Sequence, residues 1–167
     1  MRKRILKLML AGLFVFCAFG VITLRLARAT DGVGITITTL AGPIAFDAID
    51  VRTITPTLYF SEIETSGPSD VYIVQVTIEP GGHSGWHSQP GPSFVSIISG
   101  TATFYHADDA NHTPNVYAAG TGLVEEAGRV RIIRNEGGTD LVAIVMQLLP
   151  SGAPRRIDEP QPPGWPF

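Results

Sequence analysis

The sequence contains one cysteine, Cys17, and none in the remaining 150 residues. A folded domain that begins near residue 30 therefore has no disulfide of its own and no thiol nucleophile. Its stability has to come from a hydrophobic core, and a chain of this length is long enough to build one.

Acidic residues are missing from the first 29 positions, where six of the 12 basic residues lie. The positive stretch Arg2 to Arg4 precedes an uncharged, mostly apolar run from Leu8 to Leu24, and small residues flank Arg28 in Ala27-Arg28-Ala29. This pattern predicts a signal peptide over residues 1–29 that is cleaved after Ala29, with an uncleaved membrane anchor as the alternative. Both predict an extracytoplasmic domain, secreted, periplasmic or anchored, that contacts a membrane only through this segment.

Lysine is absent after position 29, and the six remaining basic residues are all arginine, against 15 acidic residues. This acidic balance repels phosphate backbones, so the composition argues against a nucleic-acid partner.

Helical periodicity longer than two turns is also absent after the leader. Short runs rich in β-branched residues recur instead, separated by Gly, Pro, Asn and Asp. This spacing predicts an all-β fold of short antiparallel strands, a sandwich or barrel, with a tight hairpin turn at Ser99-Gly100. The predicted strands are Ile35 to Leu40, Val71 to Ile78, Phe94 to Ile98, Thr101 to Tyr105, Val116 to Ala118, Gly122 to Val124, Arg129 to Ile133 and Leu141 to Leu149.

Two segments fit this pattern poorly. Thr53 to Ser69 is either an edge strand or a covering loop. Residues 151–167 form a proline-rich tail that is either solvated or held on the domain by Trp165 and Phe167. We therefore divide the chain into a leader over 1–29, a β-barrel domain over 30–150 and a C-terminal tail over 151–167.

The densest group of chemically active side chains lies in the segment from Gly81 to Pro92. His83 and His87 have the i, i+4 spacing of helical zinc motifs, but four glycines and two prolines among these residues argue against a helix. In an extended segment, His87 and Gln89 point to the same side. The alternative is a turn-rich hairpin whose histidines are only hydrogen-bonded.

Two segments in this part of the chain resemble the cupin motifs. The first motif is matched in spacing by Gly81, His87, Gln89, Ser93 and Gly100, and the second by Gly120, Glu126, Gly128, Arg131 and Asn135. Because both occur in the correct order and register, the chain is similar to small single-domain bacterial cupins. The resemblance implies a cupin-type jelly-roll β-barrel.

The resemblance also implies four positions that in cupins usually bind a divalent metal inside the barrel. They are occupied here by His87, Gln89, Ser93 and Arg131, so only one usual ligand is kept. Arginine does not lose its proton in an ordinary site, and a guanidinium about 5 Å from a divalent ion costs roughly 7 kcal/mol at an effective dielectric near 20. We therefore expect no metal cofactor. The alternative is a divalent transition metal held by His83, His87 and Gln89.

Position 131 faces inward if the resemblance holds, and strand alternation then puts Arg129 on the same side, nearer the mouth. In the alternative register both arginines face solvent, and Val130 and Ile132 form the core. The pair Glu125-Glu126 is interpreted as a solvated turn. His106, Asp108 and Asp109 are interpreted as a polar loop rather than a metal site.

Three functions remain open. We expect a barrel that binds a small molecule, with His87, Gln89, Ser93, Arg131 and His83 as candidate ligand-binding residues and Arg131 suited to a carboxylate. The alternatives are a metal-dependent dioxygenase or isomerase and a structural or interaction barrel at the cell surface, for which we consider a homodimer formed through exposed strand edges. The ligand replacements favour the non-enzymatic interpretation.

Overall fold

The computed structural model describes residues 29–56 and 59–167, so the predicted leader, apart from Ala29, lies outside the described residues. No helix in these two ranges is long and apolar enough to cross a bilayer. The described residues form twelve β-strands: β1 Val33–Phe46, β2 Asp50–Ile54, β3 Phe60–Glu64, β4 Ser69–His83, β5 His87–Ser88, β6 Ser93–Ser99, β7 Thr101–His106, β8 Asn115–Ala118, β9 Gly122–Glu125, β10 Arg131–Arg134, β11 Leu141–Pro150 and β12 Ile157–Asp158.

Ten of these strands form one nearly closed antiparallel sheet. One side of the barrel has the order β1-β4-β11-β6-β9, and the other side is built from β12, β5, β10, β7 and β8. Strand β4 joins the two sides, because its last residue, His83, pairs with Arg134 of β10. This architecture is the all-β jelly-roll barrel that the sequence predicted.

Strict alternation of buried and exposed residues places the core inside the barrel. In β11 the odd-numbered residues from Leu141 to Leu149 are buried, and in β6 Ser93, Val95 and Ile97 are buried while their neighbours are exposed. Successive strand residues point to opposite faces, so this pattern directs one apolar row from each strand inward. The core cluster is Val74, Ile78, Val95, Ile97, Ala102, Phe104, Leu141, Ala143 and Val145.

The prediction of a hairpin at Ser99-Gly100 is wrong. Strand β6 pairs with β11 and β9, whereas β7 pairs with β10 and β8, so the chain crosses between the two sides of the barrel at Gly100. Gly100 has a φ of +72°, and a Cβ there would lie 2.6 Å from the carbonyl oxygen of Asp140. A glycine with a positive φ is compatible with a crossover connection and with a hairpin turn. The local sequence therefore does not distinguish the two.

The sequence allows either an edge strand or a covering loop for Thr53 to Ser69. In the structure this segment contains part of a separate two-stranded sheet. Strands β2 and β3 pair with each other, Val51 with Ile63 and Ile54 with Phe60, and with no strand of the barrel. Every residue of these two strands except Ser61 is exposed.

The C-terminal tail packs on the barrel. Strand β12 pairs with β5, and Trp165 is 6% exposed, with its ring centroid 4.8 Å from that of Trp86 and 5.7 Å from that of Tyr105. The Arg134 guanidinium lies 4.1 Å from the ring centroid of Phe167. These contacts cover the outer side of β10, which explains why Ile132 is buried although its neighbour Arg131 points into the barrel.

We expect Trp165→Ala to lower the free energy of unfolding by about 3–4 kcal/mol, because it removes a buried aromatic ring from a cluster of aromatic contacts. Val116→Ala is the control, since Val116 is 60% exposed, and it should cost less than about 0.5 kcal/mol. Urea unfolding of both variants measures the difference. Equal free energies of unfolding for the two variants would show that the tail does not pack on the barrel in solution.

Candidate functional site

Two rows of cross-strand neighbours bring the candidate residues together at one end of the barrel. In the first row Arg131 of β10 lies between His87 of β5 and His106 of β7. In the second row Ser93 of β6 lies between Gln147 of β11 and Glu125 of β9. Neighbours in such a row share a face of the sheet, so both rows direct polar side chains inward.

A buried ion pair joins the two rows. Arg131 is 1% exposed and Glu125 is 4% exposed, and Nη1 of Arg131 lies 3.3 Å from Oε2 of Glu125. The Nη2 group of Arg131 donates a hydrogen bond of 2.7 Å to the carbonyl oxygen of Glu126. The inward orientation expected for Arg131 is confirmed. The interpretation of Glu125 as part of a solvated turn is wrong, because the arginine attracts its carboxylate into the barrel.

Gln89 and Ser93 complete the network around this carboxylate. The side-chain amide of Gln89 donates a 3.1 Å hydrogen bond to Oε2 of Glu125, and its oxygen accepts a hydrogen bond from the Ser93 hydroxyl. Burial raises the pKa of Glu125, while Arg131 and the Gln89 hydrogen bond act in the opposite direction. The other carboxylate oxygen, Oε1, is buried and accepts no hydrogen bond from the described residues.

His87 is held in one tautomer by the loop before it. Its Nδ1 lies 3.0 Å from the carbonyl oxygen of Gly85, and because a carbonyl only accepts, Nδ1 carries the proton. Nε2 is then an acceptor, and the described residues offer it no hydrogen bond. Burial, together with the Arg156 charge, lowers the pKa of His87 to about 3, so the ring is neutral at neutral pH.

Gly85 is required for this loop geometry. Its φ is +70°, and a Cβ would lie 2.2 Å from the carbonyl oxygen of Thr30. Only glycine therefore lets the chain turn between His83 and His87 while the N-terminal residues pass this close.

The candidate site residue His83, and Arg129, which was expected on the same side as Arg131, do not join the group. Nδ1 of His83 accepts a 3.1 Å hydrogen bond from the Gly85 N–H, and His83 does not line the cavity described below. Arg129, expected beside Arg131, is a partly exposed residue that pairs with Asp108 at 3.2 Å. It precedes β10 rather than lying within it, so strand alternation does not apply to its direction.

The loop with His106, Asp108 and Asp109 is stabilised by its own contacts. Asp108 binds Arg129, and Asp109 accepts hydrogen bonds of 2.9 Å from the backbone N–H groups of Asn111 and Thr113. Among residues 29–56 and 59–167 there is no group of three or more His, Cys, Asp or Glu side chains arranged to hold a metal.

An apolar cavity of about 140 Å³ enters the barrel beside the ion pair. The tail supplies two partly exposed cations at its mouth, Arg155 and Arg156. Arg131 does not line it. The lining residues are Ile35, Ile37, Val74, Val76, Ser84, His87, Gln89, Val95, Glu125, Ile133, Val145, Gln147, Arg155 and Arg156.

The four positions that would hold a cupin metal do not fit a divalent cation. His87 is the only strong ligand among them, the Gln89 oxygen is occupied by Ser93, and Arg131 places a fixed positive charge inside the barrel. The carboxylate of Glu125 is a suitable metal ligand, but its Oε2 is already in an ion pair with Arg131 and accepts a hydrogen bond from Gln89. We therefore derive no metal chemistry for this site.

Sequence reasoning missed Glu125, Gln147, Arg155 and Arg156 as cavity residues. The adjacent arginines were visible as two of only six basic residues after the leader. Their relevance depends on the tail crossing the mouth, where the Gln147 amide donates a 3.2 Å hydrogen bond to the carbonyl oxygen of Arg155.

Comparison with known proteins finds one family model that matches part of the chain. The model of the cupin domain matches residues 74–147. Among solved structures, the polyketide cyclase RemF from Streptomyces resistomycificus superposes with a TM-score of 0.53 at 12% identity, covering 81% of this chain and 80% of RemF. At this identity the likeness concerns the fold alone. No curated protein matches the chain.

Two further solved structures superpose less closely. A cupin superfamily protein from Desulfitobacterium hafniense has a TM-score of 0.47 at 15% identity, covering 70% of this chain and 78% of its own. A conserved protein of unknown function from Streptococcus pyogenes has a TM-score of 0.43 at 23% identity, covering 50% of this chain and 68% of its own.

We expect Arg131→Met to destabilise the protein by about 3–5 kcal/mol, because it leaves the Glu125 carboxylate buried without its counter-charge. Adding Glu125→Gln should recover most of that loss, since the buried charge is then gone as well. Urea unfolding of the two single variants and the double variant gives the coupling energy. Additive losses would show that the two side chains do not interact in solution.

We expect stability to fall as the pH drops below 6.5, because unfolded His87 takes up a proton that the folded protein excludes until about pH 3. From pH 6.5 to pH 5 this contribution is about 2 kcal/mol. His87→Gln should remove it, and the measurement is urea unfolding of both proteins at the two pH values. Both proteins contain Glu125, so its contribution to the pH dependence of stability cancels when the two are compared. An unchanged pH slope in the variant would contradict the assignment.

Proposed function

We propose that this barrel, of which residues 74–147 match the cupin domain model, is a binding module for a small carboxylic acid with an apolar body. The observation that carries the proposal is the apolar cavity with an arginine at its mouth and an unpaired imidazole nitrogen inside. The ligand would place its apolar part between the sheets and its carboxylate at Arg155.

The walls of the cavity set the size and polarity of the body. Seven of the lining residues are Val or Ile, contributed by both sides of the barrel. A cavity of about 150 Å³ with apolar walls accommodates a molecule of the size of benzene. A short branched or aromatic acid therefore fits if its charged end stays at the mouth.

Arg155 supports the choice of a carboxylate. Its Nη1 donates a 2.9 Å hydrogen bond to the Thr39 hydroxyl, and its guanidinium lies 5.2 Å from the ring centroid of Tyr72. Among the described residues it forms no salt bridge, whereas Arg156 pairs with Asp158 and Arg131 with Glu125. Arg155 is thus a positioned cation that can still receive a carboxylate.

The His87 ring favours a ligand that carries a hydroxyl group at the end away from its carboxylate. Its neutral Nε2 accepts but does not donate, so a ligand O–H is the matching group. With a pKa of about 3, the ring is not poised as a general acid or base near neutral pH. This supports a binding role over catalysis.

We also propose that the module acts outside the cytoplasm, as a secreted, periplasmic or membrane-anchored protein. This part of the proposal rests on the sequence of residues 1–29.

Binding of 4-hydroxybenzoate, benzoate and benzamide, measured by calorimetry, tests the proposal. We expect 4-hydroxybenzoate to bind at least as tightly as benzoate, because it adds a hydrogen bond to His87. Benzamide should bind about tenfold more weakly, because it cannot form the charged contact with Arg155.

Arg155→Gln should reduce benzoate affinity by about tenfold and leave benzamide affinity unchanged. Arg52→Gln is the matched control, because Arg52 lies on the β2–β3 hairpin away from the cavity, and it should bind like the native protein. Ile37→Trp should block all three compounds, since Ile37 lines the cavity and is 47% exposed, so a larger side chain fills the entrance without disturbing the core. The proposal would be refuted if none of the three compounds binds, or if Arg155→Gln binds benzoate as tightly as the native protein does.

A further inference from the structure

A second cavity opens through the wall of the barrel between β8 and β9. Strand β8 pairs with β7 and strand β9 with β6, so these two consecutive strands belong to opposite sides of the barrel and do not pair with each other. The β8–β9 cavity has a volume of about 460 Å³, which lies within the range of roughly 300–1,000 Å³ that is usual for small-molecule sites. Of the described residues, only Glu125 lines both this cavity and the apolar one.

Three strands supply the inner lining of the β8–β9 cavity. Each contributes two residues that are two positions apart and therefore share one face of the strand. The pairs are Phe104 and His106 on β7, Asn115 and Tyr117 on β8, and Leu123 and Glu125 on β9. The rings of Phe104 and Tyr117 meet edge to face with their centroids 5.5 Å apart. The cavity thus combines an aromatic wall with polar side chains.

Two buried polar atoms of this lining have no hydrogen-bond partner among the described residues. They are Oε1 of Glu125, a residue that is only 4% exposed, and Nδ1 of His106. A buried polar atom without a partner is unfavourable, so such atoms indicate a group that the described residues do not supply.

The missing group has to donate hydrogen bonds. The ionised carboxylate of Glu125 only accepts them. Burial, followed by the charge of Arg129, lowers the pKa of His106, so its ring is neutral near pH 7 and has one acceptor nitrogen. The side-chain nitrogen of Asn115 donates to the carbonyl oxygens of Phe104 and Thr113, which leaves the Asn115 side-chain oxygen as a further acceptor.

The charges around the β8–β9 cavity are unbalanced towards negative. Arg129 lines the cavity, but its guanidinium pairs at 3.2 Å with Asp108, which does not line it. Asp109 accepts hydrogen bonds from backbone N–H groups, and these carry no full charge. The exposed carboxylate of Glu126 forms no salt bridge with any described residue. Two negative charges at the cavity, those of Asp109 and Glu126, therefore lack a basic side chain.

We propose that the β8–β9 cavity binds a small organic ammonium ion, with the ammonium group at the carboxylates of Glu125 and Glu126 and the organic part against Tyr117. An ammonium group carries a positive charge and only donates hydrogen bonds, so it matches both the unpartnered acceptors and the negative balance. The face of an aromatic ring also attracts a cation.

A metal ion fits the same acceptors less well. In the part of the chain that the structure describes, no three His, Cys, Asp or Glu side chains are arranged to hold a metal. An ammonium ion does not require such a compact set of ligands, because each of its N–H groups can donate to a separate acceptor.

The two cavities of the barrel select ligands of opposite charge. Arg155 and Arg156 at the mouth of the apolar cavity repel an ammonium ion, and the carboxylates of Asp109 and Glu126 repel an acid from the β8–β9 cavity. The ammonium site is therefore independent of the carboxylic-acid site proposed above, and either can be present without the other.

Calorimetry of the full chain, as processed by its expression host, with benzylamine and benzyl alcohol tests the proposal. The two compounds have the same ring and nearly the same size, but only benzylamine is charged at neutral pH, as the lysine side chain is. We expect benzylamine to bind about tenfold more tightly than benzyl alcohol, because only the cation gains the contact with the carboxylates.

Glu126→Gln should weaken benzylamine binding about threefold to fivefold, as expected for an exposed ion pair, and should not change benzyl alcohol binding. Glu62→Gln is the matched control, because Glu62 is exposed on β3 and lines neither cavity, and it should bind both compounds like the native protein. Val124→Trp should block both compounds, since Val124 lines the cavity and is 55% exposed, so a larger side chain fills the opening.

The role of Glu125 requires a variant that leaves no unpaired buried charge. The double variant Arg131→Met with Glu125→Gln meets this condition, and we expect it to bind benzylamine about tenfold more weakly than the native protein. Thermal melts verify that each variant is folded. Glu126→Gln tests the proposal by itself if the double variant does not fold.

Two cross-checks separate this site from the carboxylic-acid site. Arg155→Gln should leave benzylamine affinity unchanged, and Glu126→Gln should leave benzoate affinity unchanged. The ammonium proposal would be overturned if benzylamine does not bind, if it binds no more tightly than benzyl alcohol, or if Glu126→Gln binds it like the native protein. A loss of benzylamine affinity in Arg155→Gln would overturn it as well, because the amine would then occupy the apolar cavity.

Discussion

The ion pair between Arg131 and Glu125 is the interaction on which the rest of the site depends. At 3.3 Å and an effective dielectric near 20, the attraction is about 5 kcal/mol, and each ion loses several kcal/mol of hydration on burial. The net contribution is therefore small, but neither charge can be buried without the other. This coupling fixes the polar end of the barrel, because Gln89 and Ser93 form hydrogen bonds around the carboxylate.

The same pair limits the chemistry that this site can support. In this chain the guanidinium replaces a usual metal ligand, and Glu125, from outside the four metal positions, neutralises it. His87 keeps the tautomer that a metal ligand would need, with Nδ1 bonded to the Gly85 carbonyl oxygen, but its Nε2 is left as a neutral acceptor. Because the Arg131 charge is already paired with Glu125, we assign the binding of an acid to Arg155 at the mouth.

The C-terminal tail connects the site with the outside of the barrel. Trp165 and Phe167 pack over β10, and β12 pairs with β5, so the tail crosses the cavity entrance at a fixed position. The chain thus covers this outer surface of the barrel with its own residues.

The sequence by itself predicted most strands of the barrel and the resemblance to the cupin motifs. The apolar, β-branched runs that form β6 and β11 are local patterns, and the spacing of glycines with His87, Arg131 and Asn135 carried the resemblance that implies a jelly roll. Only the tertiary structure decided how the strands pair and which charges meet. From the sequence alone, Glu125 is one of two adjacent acidic residues before a turn. Gly100 is a turn residue, and the sequence does not show which strands it connects. Their roles depend on residues up to 40 positions away, Arg131, Gln89 and Asp140 among them, and contacts between distant residues are set by packing rather than by local preference.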